Sequence, residues 1–206
     1  IFLISFIFLS ALINDYIFLS ILFIVVICGW IEWIKVIEKI KFKKIYRIIH
    51  IIFFLIYLLI AYIVCFNVFV IDKHFFLTIL MICIFSDIGG YIFGKTFGGK
   101  KLTKISPKKT VSGSIGSFIL SYVGFFVTYF YFNDLLFVRL EIEALFFIPF
   151  FVSSICQLGD LFISYYKRKA KIKNTGNIIP GHGGLLDRID GIIFALPIGF
   201  ILISLF

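Results

Sequence analysis

The chain is a succession of apolar runs separated by short charged stretches. Runs free of Asp, Glu, Lys and Arg cover residues 1–14, 16–31, 48–71, 74–86, 110–133, 144–159 and 191–206. None alternates apolar and polar positions, so none reads as a strand of a membrane barrel. A transmembrane helix needs about 20 predominantly apolar residues. Letting the shorter runs continue past a single acidic residue predicts seven helices, over 1–13, 16–37, 48–70, 75–94, 113–132, 144–166 and 188–206. The fold class expected is all-α, a polytopic transmembrane helix bundle forming one integral-membrane domain over 1–206. The chain opens at Ile1 without a methionine, so the first helix reads as truncated. No small-residue cleavage site follows it, which argues for a helix over a signal-peptide core.

Composition makes the bilayer the solvent. Hydrophobic residues are 62% of the chain and charged residues 15%, with a mean hydropathy of +1.13. Soluble domains run at about 45–50% apolar and about 25% charged. A soluble globular enzyme, a disordered chain and a nucleic-acid-binding domain are thereby excluded, and no nucleic-acid partner is expected. Cys28, Cys65, Cys83 and Cys156 are scattered without a CxxC pair. They support neither a zinc knuckle nor a redox motif and read as buried thiols.

The basic residues orient the layout. Eighteen of the twenty lysines and arginines fall in three regions: Lys35–Arg47, Lys95–Lys109 and Lys167–Arg188. The intervening loops hold only Lys73 and Arg139, beside Asp15, Asp72, Asp134, Glu141 and Glu143. Alternate loops are therefore basic, and the positive-inside rule puts those loops in the cytoplasm. The net charge of +9 follows largely from this topology, and such loops also attract anionic lipid headgroups.

Three carboxylates sit inside predicted spans: Glu32, Asp87 and Asp160. Each costs about 2.5–3.5 kcal/mol at a helix centre, so such residues are functional or paired inside the bundle. Glu32 is three residues from Lys35, within reach of a local ion pair, and reads as structural. Asp87 and Asp160 precede their predicted cytoplasmic helix ends by similar distances. Asp187 and Asp190, at i and i+3, open the last helix on the same side. Four carboxylates are thus expected at one level. An oxygen-only set suits Mg²⁺ or Mn²⁺ better than zinc; the alternative is an Asp–Lys/Arg lattice fastening helix ends.

Two loops have the makings of phosphate sites. Ser106-Pro107-Lys108-Lys109-Thr110-Val111-Ser112-Gly113 sets two lysines and three hydroxyls before a helix, whose N-terminus carries free N–H groups and a positive dipole end. Pro180-Gly181-His182-Gly183-Gly184 precedes Asp187, and its glycines permit close backbone approach to a ligand. Ser86, Gly90 and Gly94, with Gly113, Gly116 and Ser117, read as packing devices that let helices approach closely.

One stretch is far more specific. Ser164-Tyr165-Tyr166-Lys167-Arg168, then Lys173, then Pro180 through Asp190 closely resembles the signature of the phosphatidate cytidylyltransferase family, also called CDP-diacylglycerol synthases. Gln157-Leu158-Gly159-Asp160, Ser106–Thr110, Asp87 with Tyr91 and Gly94, and Glu32-Trp33 add to the likeness, which is strongest over 86–191. Asn174 stands where the family usually has Asp, and Ser112 where it often has Glu or Gln. The resemblance implies a nucleotidyltransferase of phospholipid biosynthesis, joining CTP and phosphatidate to give CDP-diacylglycerol and diphosphate. It implies a bacterial inner-membrane location, an active site facing the cytoplasm and a homodimeric assembly. By the same resemblance, Asp160, Asp187, Lys167 and Arg168 are expected to be catalytic. Asp160, Asp187 and Asp190 are expected to hold Mg²⁺ or Mn²⁺, with Asp87 an additional acidic residue. Ser106, Lys108, Lys109, Thr110, Lys173, His182, Gly183, Gly184 and Arg188 are expected to bind the substrates. A CTP-dependent polyprenol or lipid kinase would share the helices, metal and CTP, but matches the signature less fully. A channel or transporter subunit is the alternative from another class.

Overall fold

The structure is a computed structural model and describes residues 10, 14–132, 142–178 and 183–203. Among these, the helices are α1 (Asp15–Glu38), α2 (Lys44–Ile71), α3 (Lys73–Thr96), α4 (Val111–Phe132), α5 (Ile142–Lys169), α6 (Leu186–Ile189) and α7 (Ile192–Ile203). The first five are long and apolar enough to cross a membrane. The all-α reading holds: no strand occurs among the described residues, and Lys101 and Thr110 form an isolated antiparallel bridge. The chain is an integral membrane protein. The helix expected over 1–13 lies outside the described residues.

These sequences are rich in Ile, Val and Phe, which are mediocre helix formers in water. In hydrocarbon no water can satisfy a bare N–H or C=O, so the helix closes its own hydrogen bonds whatever the propensity. Helix α2 shows the resulting pattern. Phe54, Leu58, Ala61, Cys65 and Val68 form a buried stripe at spacings of three and four, whereas Ile49, Ile52, Phe53, Ile56, Ile60 and Ile63 are exposed. An apolar face left open is a lipid-facing surface. Carboxamide and carboxylate caps start α1 and α3. Asn14 Oδ1 accepts from the N–H groups of Tyr16 and Ile17 at 2.8 and 3.2 Å. Asp72 Oδ1 does the same for His74 and Phe75 at 2.9 and 3.1 Å. The five long helices end within four residues of their predicted bounds.

The last predicted helix is corrected. The segment over 188–206 is not continuous: α6 ends at Ile189 and α7 begins at Ile192. Gly191 lies in the break because it packs on α5, where a Cβ would meet Cys156 Sγ at 2.5 Å and the Cys156 carbonyl oxygen at 2.8 Å. The cysteines are free, with Cys65, Cys83 and Cys156 buried; Cys28 is half-buried instead of fully buried.

The chain divides into two compact units, Ile1–Phe66 with Phe162–Asp190, and Asn67–Leu161 with Gly191–Phe206. In the first, Trp33 is the anchor. It is 2% exposed, stacks on Phe54 with centroids 4.2 Å apart, and meets Tyr166 at 4.8 Å. Its indole N–H donates to the His50 carbonyl at 3.2 Å. In the second unit, α3 and α4 approach along a glycine seam. A Cβ on Gly89 would meet the Gly116 carbonyl carbon at 2.7 Å, and one on Gly113 the Gly90 oxygen at 2.8 Å. The small residues at Gly90, Gly94, Gly113, Gly116 and Ser117 serve the packing role expected of them. Ser86 packs elsewhere: its hydroxyl bonds Ser153 of α5 at 2.9 Å.

At Gly89 the obstacle is backbone, which cannot swing aside. Gly89→Ala is therefore expected to cost about 1–3 kcal/mol through overpacking. Ile119→Ala, on the exposed face of α4, is expected to be near-neutral. Thermal unfolding of both variants in detergent checks the pair, and equal midpoints would refute close packing at the seam.

Candidate active site

In the second unit, the polar residues of α5 form a line at Ser153, Cys156, Gln157 and Asp160, one or two turns apart. Each meets a neighbour from another segment. Ser153 bonds Ser86. Gln157 Oε1 accepts the Ser114 hydroxyl at 2.6 Å. Cys156 Sγ lies 4.0 Å from Asp87 Oδ1. Asp160 Oδ2 pairs with Lys109 Nζ at 2.5 Å, both side chains being partly accessible. Asp87 is exposed and has Asp160 and Lys109 as its charged neighbours. Along their own helices the two acids stand alike: Asp87 is nine residues before the end of α3, and Asp160 nine before the end of α5. At 1.5 Å per residue this is about 14 Å from each end.

Lys109 reaches Asp160 because its loop is folded back. Leu102 N–H donates to the Lys109 carbonyl at 2.8 Å, and Val111 N–H to the Lys100 carbonyl at 3.0 Å. Thr110 caps α4, its hydroxyl oxygen accepting from Gly113 N–H at 3.1 Å. Ser112 Oγ is 3.0 Å from that of Thr110 and donates to the Gly98 carbonyl. These hydroxyls build the loop. Ser106 accepts the Lys109 N–H on its carbonyl, and its own N–H donates to Thr103 Oγ1 at 3.2 Å. Lys108 points outward, exposed and unpaired among the described residues.

In the first unit, the constellation centres on two carboxylates. Asp187 Oδ1 takes the Lys167 ammonium at 2.7 Å, while Oδ2 accepts from Thr175 N–H at 2.8 Å and Gly184 N–H at 3.1 Å. The Asp187 side chain is 10% exposed and that of Lys167 13%. Three acceptor positions of Asp187 are thus in use, out of about four on a carboxylate. Arg168 and Lys173 are exposed and unpaired among the described residues. Gly183 is buried at φ +90°, and a Cβ there would meet Asn174 Cγ at 3.1 Å and Asp187 Oδ2 at 3.2 Å. Arg188 and Asp190 follow in and just after α6. His182 lies outside the described residues, as do Pro180 and Gly181. Lys167 is delivered by the end of α5, closed by bonds from Lys171 N–H to the Arg168 carbonyl (3.0 Å) and from Ile172 N–H to the Lys167 carbonyl (2.9 Å). This is a Schellman turn with Lys171, at φ 56°, in the left-handed position that glycine usually takes.

Glu32 is structural, as the sequence suggests, but its partners are not local. It is fully buried. Oε1 accepts from Leu185 N–H at 2.9 Å; Oε2 accepts from Leu186 N–H at 2.9 Å and from the Thr175 hydroxyl at 2.8 Å. A Cβ on Gly184 or Gly176 would come within 2.5 Å of its oxygens. Glu32 therefore ties the 175–176 turn to the start of α6 and holds Asp187 in register. The signals for this are a carboxylate inside a span and the glycines at 176 and 184. Sequence gave no pointer to Ser86, Ser114 or Ser153 as its polar counterparts in the other unit.

Both oxygens of Glu32 accept from fixed donors, so its charge and its length should be separable. Glu32→Gln keeps two acceptor sites on one oxygen but places an NH₂ against backbone donors. We expect it to lower the thermal midpoint and to reduce any activity about tenfold or more, since hydrogen bonds to a charged group contribute about 1.5–3 kcal/mol. Glu32→Asp should rescue less than half of that loss, because the chain is one methylene short. Unchanged stability and activity in both variants would refute the tethering role.

Among the described residues, no three His, Cys, Asp or Glu side chains form a group that could hold a metal ion. The two units instead present carboxylates with lysine partners, surrounded by further exposed cations. That arrangement suits the handling of phosphates, where charge must be both supplied and kept in place. A sequence model of the cytidylyltransferase family matches residues 43–206. The phosphatidate cytidylyltransferase of Rickettsia bellii is 45% identical over 130 residues, 58% of this chain and 53% of that protein. That of Rickettsia conorii is 41% identical over 143 residues, covering 64% and 59%. That of Bacillus subtilis is 38% identical over 152 residues, covering 69% and 54%. The chain spans about half the length of the curated relatives it matches. With the family match running from the start of α2 to the last residue, and with the signature carboxylates and lysines paired as described, the chain belongs to the cytidylyltransferase family.

Proposed function

We propose that the chain is a phosphatidate cytidylyltransferase, transferring the cytidylyl group of CTP to phosphatidate to give CDP-diacylglycerol and diphosphate. The observation that carries the reading is the 45% identity to a phosphatidate cytidylyltransferase. The paired Lys109–Asp160 and Lys167–Asp187 give it a physical basis. One substrate is a soluble polyanion and the other a lipid phosphate, so the reaction belongs at a membrane interface. We place it at the cytoplasmic face of a bacterial inner membrane, where the basic loops would lie. Homodimeric assembly is part of the same reading.

A phosphatidate oxygen would attack the α-phosphorus in line, forming the new P–O bond as the bond to the leaving diphosphate breaks. The attacking phosphate is already ionised near neutral pH, so no general base is required. Lys108, Arg168 and Lys173, exposed and unpaired among the described residues, would take up phosphates on arrival. Lys109 and Lys167 are held by Asp160 and Asp187 in advance of substrate, and would turn part of their charge to the phosphates. The Gly183–Gly184 backbone, with Ser106, Thr110, His182 and Arg188, completes the substrate-binding set we assign.

The donor chemistry fits Mg²⁺ or Mn²⁺. Magnesium is usually bound through one or two carboxylates plus substrate phosphates and waters, so the neighbouring oxygen donors Asp87 and Asp160 suffice from one unit. Asp187 has one acceptor position left beside Lys167, and with Asp190 is what the other unit offers. When bound, such an ion neutralises phosphate oxygens and the leaving diphosphate.

The test is turnover by the purified protein in detergent, using CTP labelled in the α-phosphate with phosphatidate. Label should enter the lipid and diphosphate should be released. Label entering only from the γ-phosphate would replace this reading by a kinase. Asp160→Asn is expected to reduce turnover about 100-fold or more while the protein still inserts. Near-normal turnover in that variant at ordinary Mg²⁺ would remove Asp160 from the site. For topology, cysteines placed at Lys104 and Lys171 should be labelled from one side of the membrane, and one at Lys73 from the other. Labelling of positions 73 and 104 from the same side would overturn the orientation.

A further inference from the structure

A recess of about 400 Å³ opens in the first unit between Lys35, Glu38 and Lys39, at the end of α1, and the Asn174–Asn177 turn. It lies within the size range of small-molecule sites. Nothing in the reaction scheme above uses its α1 wall. Lys35 and Lys39 are one helical turn apart and both exposed; neither has an ion-pair or hydrogen-bond partner among the described residues. This holds although Glu38 shares the recess. The opposite wall is fixed. Thr175 donates its N–H to Asp187 and its hydroxyl to Glu32, and Gly176 has no room for a side chain beside Glu32. Glu32 and Lys35, three residues apart, lie on one face of α1. The same helix that tethers the signature turn thus brings two unpaired ammonium groups to it.

We propose that this recess is a phosphate-binding site, in which Lys35 and Lys39 grip a phosphate-bearing ligand against the Asn174–Asn177 turn. Two flexible ammonium groups set against a rigid turn make charge-assisted hydrogen bonds to phosphate oxygens. Glu38 supplies acceptors only, so it favours a ligand that also carries hydroxyl or amino donors, as a nucleotide does. Asn174 widens the tolerance for anions: it is a neutral amide, exposed in the turn. The ligand's phosphate comes either from CTP or from a phosphatidate headgroup at the membrane surface. The choice of these probes rests on the cytidylyltransferase reading.

The test is equilibrium binding to the purified full chain in dodecyl maltoside. One arm uses radiolabelled CTP without lipid; the other uses short-chain phosphatidate against phosphatidylcholine as the neutral control. The double variant Lys35→Gln/Lys39→Gln is expected to bind one of the two probes about tenfold more weakly. Lys35→Arg/Lys39→Arg should stay within about threefold of wild type, because charge and donors are kept. The arm that responds identifies the source of the phosphate. Should the double variant fold poorly, Lys39→Gln alone, at an exposed position, carries the measurement with a smaller loss. Affinities for both probes within about twofold of wild type in the glutamine variants would overturn the proposal and leave the two lysines as interfacial anchors. A wild type that binds neither probe would overturn it as well. A wild type that binds a probe through these lysines but forms no CDP-diacylglycerol would sink the reaction assigned above and leave the recess standing.

Discussion

Hydrocarbon offers no hydrogen-bond partner, and the polar chemistry of this chain is arranged around that constraint. A backbone that must satisfy itself becomes helix even when built from Ile, Val and Phe. A side chain that carries a charge or hydroxyl into the same environment needs a partner too, from its own helix as at Thr128 or from another segment. Each polar residue of the α5 line has one: Ser153 has Ser86, Gln157 has Ser114 and Asp160 has Lys109. Glu32, fully buried, has three donors. These contacts order the segments as much as they host chemistry. The partners of Glu32 lie 143 to 154 residues away in sequence, so one carboxylate fixes a long-range closure that apolar packing in a lipid-like solvent would specify poorly.

The same constraint explains why the catalytic candidates come as pairs. A carboxylate at the depth of Asp160 would be costly alone, and a lysine beside it cancels most of the field while leaving both groups accessible. Lone buried charges are far more expensive than paired ones. The pair also fixes the lysine in place, its Nζ held 2.5 Å from the carboxylate. Asp187 goes further toward the structural end, with a lysine and two backbone N–H groups already on it. Its visible role is that of a staple, an anionic acceptor at a turn with no room for a side chain at 183 and 184.

The spans were legible in the sequence because lipid demands long apolar runs, and five of the expected helices recur with ends moved by four residues or fewer. The glycines of the α3–α4 seam were legible for a similar reason: small residues at helical spacing have few uses in a membrane other than close approach. The break at Asp190–Gly191 was not legible. Residues 191–206 carry no charge, and hydropathy is blind to a glycine chosen for contact with Cys156. Nor could Glu32 be placed, since the nearest cation in sequence, Lys35, was a plausible partner and the real ones are backbone groups. Lysines 108 and 109 were indistinguishable as sequence, yet the folded-back loop gives one to Asp160 and leaves the other in solvent.

Glu32 and Trp33 show how two adjacent residues divide this labour. Successive helix positions point about 100° apart, so one side chain faces the polar turn while its neighbour faces the apolar helices. Trp33 packs on Phe54 and Tyr166 and spends its single N–H on the His50 carbonyl. It thereby fixes α1 against α2 and the end of α5, which carries Lys167. Glu32, held at a definite rotation by that packing, can then meet Thr175, Leu185 and Leu186 at once. A carboxylate on a helix free to roll would lose at least one of those three bonds, and a buried oxygen without its donor costs more than the bond was worth when made. The aromatic residue is thus the condition for the acidic one, and the acidic one for the geometry of Asp187.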